Sequence, residues 1–229
     1  MWVHDHCVKV SIGMKKSISS YFFCQLLAEL FNFGIMAKKE SNLKIITGIL
    51  FRSDSFFKQL ASELPGPKDF FISYGLPLMV VGAAGRMVRV MQSHAMDGII
   101  LRGDQLSGVF MLTLAGYMFA VWLGSVLLAR LARAFQSRED SSATMVLIMA
   151  ALTPLMLAQP LAAITPAMSA VSVLGLIYTV FLFGRGAGHL LETPPHKRVG
   201  FALAGFFIIF SLAYLTILIF SGLFIFAPA

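Results

Sequence analysis

"ATMVLIMAALTPLMLAQPLAAITPAMSAVSVLGLIYTVFLF", residues 143–183, contains no charged side chain. Unbroken apolar runs of about 17–25 residues suit α-helices crossing about 30 Å of hydrocarbon, whereas a membrane barrel would show alternating segments of about ten. The stretch divides at Thr165 and Pro166 into one span from about Ala143 to Ile164 and another from about Met168 to Phe183. With so short a break the two are expected to form a tight antiparallel hairpin. The second span is short for a crossing, and Gly184 or the Pro166 turn would complete it.

Working outward, the same reading places spans at about Phe70 to Val90, Leu106 to Ala129 and Val199 to Phe226. The whole chain agrees: of its 229 residues 58% are hydrophobic and 13% charged, and the mean hydropathy is +0.81. Soluble domains are only about 45–50% apolar. The fold class expected is therefore all-α, a polytopic membrane protein with five transmembrane helices. The formal charge of +7 would suit a nucleic-acid binder. The Lys and Arg residues lie between apolar runs, with no basic stripe interleaved with aromatics, so topology rather than nucleic acid accounts for them.

Lys and Arg counts orient the chain. Residues 36–69 carry six, the loop between the second and third spans three, and that between the fourth and fifth three, against three (Arg86, Arg89 and Arg102) on the other side. The N-terminus is expected in the cytoplasm and the C-terminus outside. Arg86 and Arg89, at the exit of the first span, must snorkel or face polar partners.

Ahead of the spans, Leu43, Ile46, Leu50, Phe56, Phe57, Leu60 and Leu64 recur at about helical spacing, with Lys44, Arg52, Lys58 and Glu63 between them. Residues 36–69 therefore predict a cytosolic amphipathic segment of two short helices on the bundle or the membrane surface. Asp54 is the expected N-cap of the second helix. "LPGPKD", residues 64–69, ends it, because each proline restricts the residue before it. Residues 70–227 form the five-helix membrane domain. Residues 1–35 differ from the rest, and "MAKKESNLK" from Met36 resembles an ordinary polar N-terminus, so Met36 is the expected start of translation.

Chemistry at membrane depth needs ionisable groups there, and the spans offer almost none. Pro154, Gln159 and Pro160 in the third span allow two readings. One is a kinked helix whose Gln159 bonds a freed carbonyl; the other is irregular backbone lining a transport cavity. Gly108, Gly116 and Gly124 fall on roughly one face of the second span and are expected to admit a neighbouring helix closely. His189 and His196 have no carboxylate or thiol at ligand spacing beyond Glu192, and Cys7 and Cys24 make no paired spacing, so no metal or cofactor is implied. No HExxH, GxSxG or paired carboxylates on one helix face occurs, and the protein is not expected to be an enzyme.

"YTVFLFGRGAGHLLETPPHKRVGF", residues 178–201, carries Gly184, Gly186 and Gly188. A dinucleotide loop needs Gly-x-Gly-x-x-Gly between a strand and a helix, and neither spacing nor context fits. The glycines are expected to end the fourth span, and Arg185, Lys197 and Arg198 to mark a cytosolic turn able to meet anionic headgroups.

The order of features here resembles the Yip domain family of Rab-interacting membrane proteins, bacterial members included. A membrane-proximal "ILFRSDSFFKQLASE" (49–63) precedes the first span, and "DFFISYGLP" (69–77) echoes the Asp-Leu-Tyr-Gly-Pro motif of eukaryotic members. "LTPLMLAQPLAAI" (152–164), "IYTVFLFGRG" (177–186) and "PPHKRVGFAL" (194–203) follow in order. Bacterial members often carry Pro where Ser53 or Asp54 stands, and a Tyr near Phe201. The resemblance implies five helices, a cytosolic N-terminus and, for a bacterial-type member, the inner membrane. It implies a scaffold or adaptor whose partners are membrane lipids and other membrane proteins, a homo-oligomer among them. Its expected contacts are Asp69 and Tyr74 at the entry of the first span and Gly186, Lys197 and Arg198 in the last loop. The alternative function is a small transporter or channel subunit using Pro154, Gln159 and Pro160.

Overall fold

The computed structural model describes residues 39–96, 103–164 and 168–225. The expected leader over 1–35, the Thr165–Pro166 turn and Arg102 lie outside them. Two short helices come first, α1 (Lys39–Phe51) and α2 (Ser53–Ser62). Five long apolar helices follow and cross the membrane: α3 (Pro67–Met96), α4 (Gly103–Ala132), α5 (Ser141–Ala162), α6 (Ser169–Leu190) and α7 (Arg198–Ile225).

Local chemistry explains several boundaries. Arg52, at φ −132°, marks the break between α1 and α2, yet its amide still donates to the Gly48 carbonyl at 2.9 Å and its carbonyl accepts from Phe56 at 3.0 Å. Asp54 is therefore not the cap the sequence predicts; it sits in the first turn of α2, where the helix dipole favours a carboxylate. Pro67 opens α3, where its missing N–H costs nothing. Pro77 cannot donate to the carbonyl four residues earlier, and the turn before it, Phe71–Gly75, widens into a π-helix closed by Leu76 N–H to Phe71 O. Asp140 caps α5, its carboxylate accepting from the amides of Ser142 at 2.9 Å and Ala143 at 3.1 Å.

The end of α6 corrects the sequence reading. The helix does not stop at Phe183; it runs through Gly184, Gly186 and Gly188 to Leu190. The left-handed residue that stops it is Glu192, at φ 54°. The Thr193 amide bonds back to the Ala187 carbonyl at 3.2 Å, a closure one residue wider than that of a Schellman end. Pro194 and Pro195 then prevent continuation. Gln136 stops α4 and its terminal 3-10 turn in the same way, at φ 57°.

Helix α5 lies in the middle, against α3, α4, α6 and α1, while α7 packs on α4 and α6. The most apolar window of α5 is 67% buried, against 33% for α6 and α7. Val146 to Ala151 is buried all round, as befits a helix enclosed by others. Glycines on its neighbours make this approach possible. A Cβ on Gly75 would lie 2.5 Å from Met149 Sδ, one on Gly82 2.6 Å from Met156 Sδ, and one on Gly85 2.8 Å from Pro160 Cα. On the opposite side a Cβ on Gly175 of α6 would lie 3.0 Å from the Pro154 carbonyl oxygen. Gly175 beside Pro154 and Gly186 beside Leu147 make α5 and α6 antiparallel.

The glycines of α4 matter less than the sequence suggests. Gly108 has open space beside it, Gly116 would make ordinary contact with Thr216 at 3.7 Å, and only Gly124 is tight, at 3.2 Å from Ile209. The close approach sits on α3 instead.

At Gly85 the obstacle to a side chain is backbone, which cannot yield as a flexible side chain can. Gly85→Ala is therefore expected to destabilise detergent-purified protein by about 1–3 kcal/mol. Gly108→Ala should change stability by no more than about 0.5 kcal/mol. Thermal unfolding of the two variants compares them, and equal effects would contradict the crossing.

Candidate functional site

The α1–α2 pair is docked on the end of the bundle where α6 finishes and α5 begins. Phe57, fully buried, supplies the anchor. It reaches Gly186, where a Cβ would lie 2.9 Å from its ring and would also collide with Leu147 of α5. The Tyr178 hydroxyl donates to the Leu50 carbonyl at 2.6 Å, taking up a carbonyl near the end of α1. Asp54 of α2 receives Arg185 at 2.9 Å and His189 at 3.3 Å. Arg185 also approaches Ser53 Oγ at 3.4 Å, with its guanidinium 4.6 Å from the centroid of the Phe181 ring.

These contacts differ in weight. Asp54 and Arg185 are substantially open to solvent, and an exposed ion pair contributes about 0–1 kcal/mol. Truncating a buried Phe to Ala costs about 3–5 kcal/mol. Apolar docking of Phe57 therefore holds the pair, and the charges set its register.

Beside this dock the loops close on one another. The Arg138 amide donates to the Leu191 carbonyl at 2.8 Å, and Ser137 Oγ to Thr193 Oγ1 at 2.9 Å. Arg198 Nε donates to the Thr193 carbonyl at 3.1 Å, its guanidinium filling the space a side chain at Gly188 would need. Arg133 pairs with Glu139, and Phe135 meets Phe201 edge-on at 5.5 Å. Lys44, Arg52, Lys58 and Lys68 remain exposed on the α1–α2 side, and Phe51 stands 82% exposed between the first two.

The sequence-predicted contact residues do not share one surface. Asp69 is exposed in the first turn of α3. Tyr74 is only 2% exposed, its hydroxyl 2.6 Å from Thr153 Oγ1. Gly186 is buried under Phe57. Neither Tyr74 nor Gly186 can touch a partner in this arrangement; both fasten helices together. Lys197 and Arg198 are half-buried, with Arg198 occupied by Thr193. The alternative trio is dispersed too. Pro154 faces Gly175 of α6, Pro160 faces Gly85 of α3, and Gln159 lines a cavity.

The sequence reading missed the Asp54–Arg185–His189 cluster and Tyr178. Tyr178, Arg185 and His189, spaced by seven and four, fall on one face of an α-helix. That signal becomes visible once α6 is allowed to continue past Gly184. Among the described residues no group of three or more His, Cys, Asp or Glu side chains could hold a metal ion. The arrangement is a non-covalent latch with an exposed basic and aromatic rim.

The family model described as the Yip1 domain matches residues 47–226, from the end of α1 to the end of α7. Neither the curated proteins nor the solved structures yield a match.

Phe57→Ala is expected to release α1 and α2, accelerating hydrogen exchange at their amides by more than tenfold, since about 3 kcal/mol is lost. Asp54→Asn should change the rates by less than about fivefold, as about 1 kcal/mol at most is at stake. Hydrogen-exchange mass spectrometry in nanodiscs checks both.

Proposed function

The chain belongs to the Yip1 domain family, and on that premise we propose that this integral membrane protein is a non-enzymatic scaffold or adaptor that organises other membrane proteins or lipids. The observation that carries the reading is the rim of the docked pair. Phe51 is 82% exposed, between Lys44 and Arg52, at the elbow of two helices that are themselves fixed to the bundle. A large aromatic beside cations on a fixed platform suits recognition by an acidic partner or an anionic headgroup layer. Asp69, exposed at the start of α3, and Lys197, half-buried in the last loop, are further contacts on this reading.

The platform faces the cytoplasm on this reading. Lys44, Arg52, Lys58, Lys68, Arg133, Arg138, Lys197 and Arg198 belong to one end of the bundle, as the preference for positive charge on the cytoplasmic side requires. The C-terminus then lies outside, and the membrane is the inner membrane of a bacterial-type member.

A photo-reactive amino acid at Phe51 or Lys197, activated in cells, is expected to yield one dominant adduct to a second membrane protein or a second copy. Adding Phe57→Ala should remove that adduct, because the rim is no longer held. Recovery of lipid alone, or an adduct that survives Phe57→Ala, would contradict the adaptor reading.

A further inference from the structure

The half of the bundle away from α1 and α2 contains a cavity of about 120 Å³ between α3, α4, α5 and α7. Its polar lining includes Arg86, Tyr117, Gln159 and Tyr214. Arg86 is ten residues before the end of α3, about 15 Å at 1.5 Å per residue, and Tyr214 eleven before the end of α7, about 16 Å. Gln159 is near the end of α5, so the site lies toward the far-leaflet end of the bundle, within reach of the headgroup layer.

Arg86 is half-buried, whereas Arg89, one turn on, is exposed. Its side chain and that of Tyr117 line the same cavity. Among the described residues no carboxylate forms an ion pair with Arg86. A guanidinium cannot discharge itself by losing its proton. A cation at membrane depth costs several kcal/mol without a counter-charge, and neutral hydroxyls and amides supply none.

The surroundings identify the source of that charge. Leu152, Met156 and Ile209 are part of its apolar lining. At its mouth Phe210 and Tyr214 are 45% and 60% exposed on the outer face of α7, where acyl chains lie. A volume of about 120 Å³ suits a small oxyanion and not a whole lipid. We propose that this cavity takes the phosphate of an anionic phospholipid from the far leaflet, paired with Arg86 and bonded by Tyr117 and Gln159, while its chains lie along Phe210 on α7. This site is separate from the platform of α1 and α2, and its occupancy does not depend on the adaptor reading.

Native mass spectrometry of detergent-purified protein titrated with dioleoyl-phosphatidylglycerol, dioleoyl-phosphatidylcholine or inorganic phosphate tests the assignment. Wild type and Arg89→Gln are expected to retain phosphatidylglycerol over phosphatidylcholine, and Arg86→Gln to bind it about tenfold more weakly. Ala213→Phe, which fills the cavity from α7 and leaves Arg86 in place, should give the same loss and guards against an Arg86 variant that fails to fold. Undiminished retention by either cavity variant would overturn the proposal. So would displacement of the lipid by inorganic phosphate at equal concentration, which would mark a site for the free anion.

Discussion

The close approach of α5 to glycines on both sides is the constraint on which the rest of the structure depends. Between helices in lipid there is little hydrophobic drive, because acyl chains are as apolar as leucine, so association rests on close packing. Helix α5 carries Pro154 and Pro160, each of which removes an amide from the helical ladder. It can be the enclosed helix only if its neighbours present no side chains where those irregular turns meet them. Gly85 faces the Pro160 turn and Gly175 the Pro154 carbonyl, while Gly75 and Gly82 receive Met149 and Met156. Beside this seam the Tyr74 and Thr153 hydroxyls satisfy each other, which matters where no water is available.

The same packing distributes the polar groups between the two ends. Gly186 lets Phe57 reach the interior, and that contact fixes α1 and α2 against α6 with their basic rim outward. Gly188 leaves room for the Arg198 guanidinium, which ties the last loop to the start of α7. Toward the other end Arg86 is half-buried, and the cavity it lines is shaped by residues of four helices. Glycine thus serves three ends here: helix crossing, docking of a surface helix, and space for a cation.

Much of this was legible in the sequence. Five apolar runs, the amphipathic pair before them and the order of features shared with the Yip domain family were read from periodicity, length and motif order. Continuous apolarity is a strong signal because lipid imposes it on every span. Two readings failed for one reason: a glycine's role depends on what faces it. Gly184, Gly186 and Gly188 look like a helix end, yet Glu192 takes the left-handed position and the glycines admit neighbours. Gly108 and Gly116 look like a packing face, yet little presses on them. Tyr74 and Arg86 show the same limit for polar residues, since helical position tells the depth of a side chain but not which neighbour it meets.

The crossing of α3 and α5 is the claim from which the placement of Tyr74, Arg86 and the docked pair follows. Solid-state NMR on proteoliposomes with carbon-13-labelled glycine and proline measures it directly. The expected result is a through-space cross-peak between Gly85 Cα and the Pro160 ring or Cα carbons, identified by its disappearance in Pro160→Ala. If every glycine–proline cross-peak survives Pro160→Ala, α3 and α5 do not meet there and the account fails at its centre.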